Sequence, residues 1–191
     1  MRYTTMVILL LLVAGAAFSQ VAEIGASGGA ALLSNATLSN PPDVPAKLDS
    51  GFRMGFRVTL NTGRMFGHEV GYAYNRTNLD YGGTVYGMST HQGFYDFLLY
   101  ATPEGAKIRP FIAGGVQFCN FVPPGGYTFQ GKTKFGVNYG GGVKVKVATK
   151  FLVRFDFRQY ASPKPDFLPT ATAPQGWLRL TEVSAGFAYT L

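Results

Sequence analysis

Large apolar residues recur at every second position over long stretches of the chain. From Phe52 to Leu60 each even position is apolar (Phe52, Met54, Phe56, Val58, Leu60), while the odd positions between them are Arg53, Gly55, Arg57 and Thr59. Between Lys134 and Val147 the apolar set is Phe135, Val137, Tyr139, Val143, Val145 and Val147, set against Lys134, Asn138, Lys144 and Lys146. Val153, Phe155 and Phe157 then alternate with Arg154, Asp156 and Arg158, and the final segment sets Val183, Phe187 and Tyr189 against Glu182, Ser184 and Gly186. Side chains of a strand point alternately to its two faces, so this period predicts strands with one apolar and one polar face. Eight such segments are predicted, near 21–30, 51–61, 65–75, 90–101, 108–119, 134–147, 150–160 and 177–191.

The links between the segments alternate in length. Short ones lie near Asn61–Arg64, Thr102–Lys107 and Ala148–Thr149; long ones cover 31–50, 76–89, 120–133 and 161–176. The long links carry Asn40-Pro41-Pro42, Pro123-Pro124-Gly125-Gly126 and Pro163-Lys164-Pro165. Strands of about 9–11 residues, with short turns at one end and long loops at the other, are the pattern of a transmembrane β-barrel.

The first 19 residues read as a cleaved secretory signal. Arg2 opens a positive start, Met6–Val13 is wholly apolar, and Ala17-Phe18-Ser19 places small residues before Gln20. The expected division is therefore residues 1–19 as signal peptide and 20–191 as barrel. The apolar run is too short to span a bilayer as a helix, which needs about 20 residues.

Composition narrows the choice. Charged residues are 14% of the chain, aromatics 15%, and Gly numbers 25. A single cysteine, Cys119, excludes an internal disulfide framework and a cysteine-rich metal site. The net charge of +7 would suit a nucleic-acid partner if it lay on the surface. It is expected not to. The long loops balance Lys47, Arg76, Lys132 and Lys164 with Asp43, Asp49, Asp80 and Asp166. The basic excess falls on strands, on the face that also carries Gly.

Alternation alone does not say which face meets water. Three features point the apolar face at lipid. The polar face is rich in Gly and in close opposite charges, as the narrow lumen of an eight-stranded barrel requires. Tyr72, Tyr74, Tyr100, Tyr139, Trp177 and Tyr189 sit where an interfacial aromatic girdle would. Closure of the sheet also satisfies every backbone group, which hydrocarbon demands. The expected lumen ion-pair network is Arg53, Arg57, Glu69, Asp96, Lys144, Lys146, Arg154, Asp156, Arg158 and Glu182. Glu23, Arg109 and Lys134 also fall on the inward face, and His68 on the lipid face near a short turn.

The segment Phe135–Val147, the following Val153–Arg158 and the closing Glu182–Tyr189 together resemble the small outer-membrane β-barrel family of the OmpA transmembrane-domain or opacity-protein type. The resemblance covers residues 20–191 in pattern and about a third of them in motif. It implies an all-β, eight-stranded antiparallel up-and-down barrel, with periplasmic termini and surface loops at the long end. It further implies insertion by the barrel-assembly machinery and residence in outer-membrane lipid. The chain ends in Leu191, where the family usually has Phe. No cofactor and no metal is expected. A surface ligand would be taken through the loops.

Two motifs and one competing architecture offer other readings. Gly126–Thr133 fits the P-loop pattern, with Lys132 and Thr133 in the phosphate and magnesium positions, but a Gly-rich alternating segment follows where a helix is needed. Asp80, Ser89 and His91 could supply the acid–base groups of a lipid acyltransferase. A secreted lipocalin-like barrel holding an apolar ligand would invert the faces and put Arg154, Asp156 and Arg158 in water.

Overall fold

A computed structural model describes residues 21–39, 43–123, 131–168 and 174–191. The proposed signal peptide and Gly126–Gln130 of the P-loop pattern lie outside the described residues. Among the described residues no helix is long and apolar enough to cross a membrane.

The strands are β1 (Val21–Ser34), β2 (Ala46–Leu48), β3 (Gly51–Asn61), β4 (Phe66–Tyr81), β5 (Thr84–Tyr100), β6 (Ile108–Val122), β7 (Lys132–Lys146), β8 (Phe151–Pro163) and β9 (Trp177–Thr190). Each barrel strand is antiparallel to its neighbours, and β1 pairs with both β3 and β9. The β4–β5 pairing closes the ring. Eight strands make the barrel, as the alternation predicted. The short β2 stands outside it, pairing Ala46–Leu48 with Leu79–Tyr81 at the far end of β4.

The faces are set by the sequence period. Phe155 and Phe157 point outward, 51% and 61% exposed, while Arg154 and Arg158 between and beside them are 3% and 1% exposed. Phe52, Met54, Phe56, Val58 and Leu60 are likewise exposed, and Arg53, Arg57 and Thr59 are buried. A lipocalin-type arrangement would require the reverse.

Two regions depart from the expectation. The link 76–89 is not a loop. β4 and β5 continue through it as a hairpin, turning at Gly82-Gly83 with φ of 61° and 83°. Positive φ at both central residues is the type I′ turn, whose twist matches the flanking strands and which glycine adopts without strain. The Asp80 carboxylate accepts the Gly83 N–H at 3.0 Å. The described parts of two other long links, 31–50 and 161–176, are also packed rather than loose. Leu38 N–H donates to Ala46 O at 2.8 Å and Leu48 N–H to Ala36 O at 3.0 Å. These turn Ala36, Leu38, Ala46 and Leu48 onto an apolar cluster with Leu79, Met88, Cys119, Phe121, Phe167, Leu168 and Leu178. The long-loop mouth of the barrel is thus sealed by apolar side chains from two links and five strands.

Candidate functional site

The candidate site is the charged interior. Inward parity on β3, β4, β5, β8 and β9 brings four guanidinium groups (Arg53, Arg57, Arg154, Arg158) against four carboxylates (Glu69, Asp96, Asp156, Glu182), all buried. Glu69 takes Arg154 Nη1 at 2.5 Å and Nη2 at 3.1 Å, Arg158 Nη2 at 2.7 Å, and the Thr59 hydroxyl at 2.7 Å. Asp156 takes Arg154 Nε and Nη2, each at 2.8 Å, Arg158 Nε at 3.2 Å, and faces Arg57 Nη1 at 3.1 Å. Glu182 pairs with Arg53 Nε at 3.1 Å and accepts from Tyr160 Oη at 2.8 Å and Ser184 Oγ at 2.5 Å. Arg158 Nη1 reaches Asp96. Burying one charge costs several kcal/mol in a low dielectric, so paired, multiply hydrogen-bonded charges are the form such an interior can take.

The network continues toward both ends. On the long-loop side, Arg53 Nη1 donates to Asn75 Oδ1 at 3.0 Å and also to Gln92, whose Nε2 donates to Gln117 Oε1 at 2.7 Å. On the short-turn side, Lys144 Nζ donates to Glu23 Oε2 at 2.5 Å and to Tyr100 Oη at 2.8 Å. Arg109 pairs with Glu104 at 2.5 Å and lies over the Tyr100 ring, 3.7 Å from its centroid. Arg154 lies over Phe111 at 4.5 Å. Aromatic faces therefore supply part of the cation environment.

The expected residues divide as follows. Arg53, Arg57, Glu69, Asp96, Lys144, Arg154, Asp156, Arg158 and Glu182 lie together in the buried interior. Lys146 does not join them. It lies half-buried at the short-turn mouth, one strand step beyond Lys144 and level with the last turn, beside Glu104, Arg109 and Thr149 in a recess of about 280 Å³. Lys134 faces the opposite mouth, 2.7 Å from Asp166. Glu23 was absent from the expected network, although its parity on β1 already placed it inward. Tyr100 is a correction to the expected girdle: it is 1% exposed and belongs to the lumen, on the same face of β5 as Gln92 and Asp96. Tyr72, Tyr139, Trp177 and Tyr189 face outward.

The interior leaves little space. Between the charged layer and the apolar seal lies a cavity of about 20 Å³, bordered by Asn75, Thr90, Gln92, Gln117, Cys119 and Tyr160. That is room for about one water molecule.

Among the described residues the competing motifs are not brought together. Lys132 and Thr133 begin β7, where Thr133 accepts from Asn120 Nδ2 at 2.9 Å; a strand stands where a P-loop needs a helix. Asp80 pairs with Val85 near the hairpin tip, whereas His91 pairs with Tyr74 far down the same ladder, so the two do not meet. His91 Nδ1 is instead 2.5 Å from Tyr72 Oη, and His68 Nδ1 is 2.7 Å from Tyr95 Oη on the outer wall. Among the described residues no three His, Cys, Asp or Glu side chains gather to hold a metal ion.

A closed eight-stranded ring with a greasy exterior and a paired, charged interior defines an integral outer-membrane β-barrel. The chain belongs to the outer membrane protein beta-barrel domain family, matched over residues 5–190, and so to the bacterial outer membrane. Solved structures with the same fold include Neisserial surface protein A, at 11% identity and a TM-score of 0.62 over 90% of this chain and 97% of that one. A major outer membrane protein from Thermus thermophilus aligns at 13% identity and a TM-score of 0.59, over 91% of this chain and 100% of that one. The N-terminal β-barrel domain of Pseudomonas aeruginosa OprF aligns at 11% identity and 0.58, over 90% and 97%. Among curated proteins, none matches the sequence significantly.

Proposed function

We propose that the protein is a closed, non-enzymatic barrel whose role is carried by the surface of its long-loop end and by its contribution to envelope integrity. Both termini face the periplasm in this reading, after removal of residues 1–19. The long-loop end faces outward, and any ligand is taken there. The barrel-assembly machinery and outer-membrane lipid are the partners during insertion. The observation that carries the reading is the doubly closed lumen. Four arginines and four buried carboxylates fill its middle, and the apolar seal around Leu38, Leu48, Phe121 and Phe167 covers the long-loop mouth. An open aqueous channel takes about 16 strands, and eight leave only enough interior for side chains.

The test joins topology to conductance. An epitope inserted at Gly82-Gly83 is expected to be stained on intact cells, and a tag after Leu191 only after permeabilisation. The purified barrel in planar bilayers is expected to give no sustained current. A stained C-terminal tag on intact cells, or a steady ohmic conductance, would overturn the reading.

A further inference from the structure

The outer wall of β4–β7 changes character in successive rows of register-paired, outward residues. Val70, Tyr95, Val116 and Val137 form an apolar row. Toward the long-loop end follow Tyr72, Gly93, Phe118 and Phe135, then Tyr74, His91, Asn120 and Thr133, and then Arg76, Ser89 and Val122. The wall thus passes from apolar to aromatic to polar to cationic within a few residues.

Gly93 interrupts the aromatic row. With no side chain there, the Phe118 ring folds over the glycine, in the space a Cβ would take. A groove of about 580 Å³ runs beside it, lined by Val70, Tyr72, Tyr95, Val116, Phe118 and Phe135. Polar groups stand directly beyond its upper end: the Tyr72–His91 hydrogen bond at 2.5 Å and the Asn120–Thr133 hydrogen bond at 2.9 Å. Arg76 is exposed above them, its guanidinium lying over Gly87, a second outward glycine. No carboxylate pairs with Arg76 among the described residues.

We infer that this wall is a binding site for one anionic phospholipid, with an acyl chain in the Gly93 groove and the headgroup phosphate on Arg76 beside His91. The groove opens where the wall faces hydrocarbon, so an acyl chain is the occupant that matches its lining. From Gly93 to Ser89, the register partner of Arg76, is four residues, about 13 Å along the strand. That distance lies within one lipid, from chain to phosphate. A guanidinium with no carboxylate partner among the described residues, at this height, complements an anionic headgroup. The inference needs the wall to face lipid and is independent of which end of the barrel faces out and of whether the lumen conducts.

The test uses the folded barrel in detergent, titrated with dioleoylphosphatidylglycerol or with dioleoylphosphatidylcholine and read by native mass spectrometry. The wild type is expected to retain the anionic lipid in preference to the zwitterionic one. Arg76→Gln is expected to weaken retention of the anionic lipid roughly fivefold, the equivalent of the ~1 kcal/mol that one cation near an anionic lipid surface supplies. The preference should disappear with it. Gly93→Leu and, as a filling change that leaves the glycine in place, Val116→Phe are expected to weaken retention of both lipids. Each variant is first shown to be folded by its faster migration when unboiled. Equal retention of the two lipids by the wild type would mean ordinary lipid solvation and overturn the inference. So would unchanged phosphatidylglycerol retention in Arg76→Gln, or in a folded groove-filling variant.

Discussion

Glu69 on β4 and Arg154 on β8 meet across the full width of the barrel, Nη1 and Nη2 standing 2.5 and 3.1 Å from the two carboxylate oxygens. Their strands are four apart in either direction around the ring. The contact is therefore a strut between opposite walls, and both ends are buried.

Removing one end of that strut leaves buried charge without a partner. Glu69→Ala strips a carboxylate from Arg154 and Arg158 together and is expected to cost about 3–5 kcal/mol. Replacing both ends by apolar residues, as Glu69→Leu with Arg154→Met, is expected to cost less than the two single changes combined. Urea unfolding in lipid vesicles measures both. A Glu69→Ala barrel that unfolds at the wild-type urea concentration would show that the plug does not stabilise the fold.

Glycine positions in the wall are not equivalent. A Cβ at Gly140, which faces the lumen, would strike the Phe157 carbonyl and lie 2.6 Å from Arg158 Cα. At Gly28, on the outer face of β1, the nearest atom is the Arg53 carbonyl oxygen at 3.9 Å. Gly140→Val is therefore expected to abolish the fast-migrating folded species, and Gly28→Ala to leave stability within about 0.5 kcal/mol. Equal behaviour of the two variants would contradict the tight approach of β7 and β8.

The apolar seal predicts the chemistry of the lone thiol. Cys119 is 5% exposed and lies within the cluster that holds Leu38 and Phe167. In the folded wild type it is expected to resist a water-soluble maleimide. Phe167→Asp, which places a charge in that cluster, is expected to open the mouth and let the label on. Rapid labelling of the wild type would show that the seal does not hold.

One carboxylate at the long-loop mouth reports on its own tether. Asp166 is held below the ordinary aspartate range, first by its hydrogen bond with Lys134, which approaches to 2.7 Å. A carboxylate lowered in the folded protein contributes its stabilisation above the unfolded value, near 3.9, and loses it as pH falls through the lower folded one. Between pH 5 and pH 8 the tether should be indifferent to pH, and acid should release it. Carbon-detected titration of the Asp166 carboxyl is expected to give a midpoint below 3.8, and Lys134→Met should move it back up. A midpoint unmoved by that substitution would detach Lys134 from the tether.

The faces of most strands were readable because lipid and lumen impose opposite chemistry on alternate residues: Phe52 against Arg53, Phe155 against Asp156. The reading weakened where that contrast fades. Phe94, Leu98 and Tyr100 point into the lumen, where Phe94 and Tyr100 lie beneath Arg158 and Arg109, so from Phe94 to Tyr100 β5 is apolar on both faces except at Asp96. It failed over 76–89 because the contrast there changes sign. Beyond the lipid, Leu79 and Met88 turn inward, while Asn78 and Asp80 turn out, as in a water-soluble barrel. Asn, Asp and Gly then resemble a loop although the ladder continues. Which arginine meets which carboxylate depends on ring closure and stagger, and neither is a local property of the chain.

The ring is uneven in height. β4 and β5 run 16 and 17 residues, against 11 for β3 and 13 for β8, and a membrane crossing needs only about 9–11. The surplus is a stiff, ladder-bonded prow braced along one edge by β2 and tipped by two glycines. Among the described residues, this jutting edge is the part of the long-loop side that a large body drawing near would touch first.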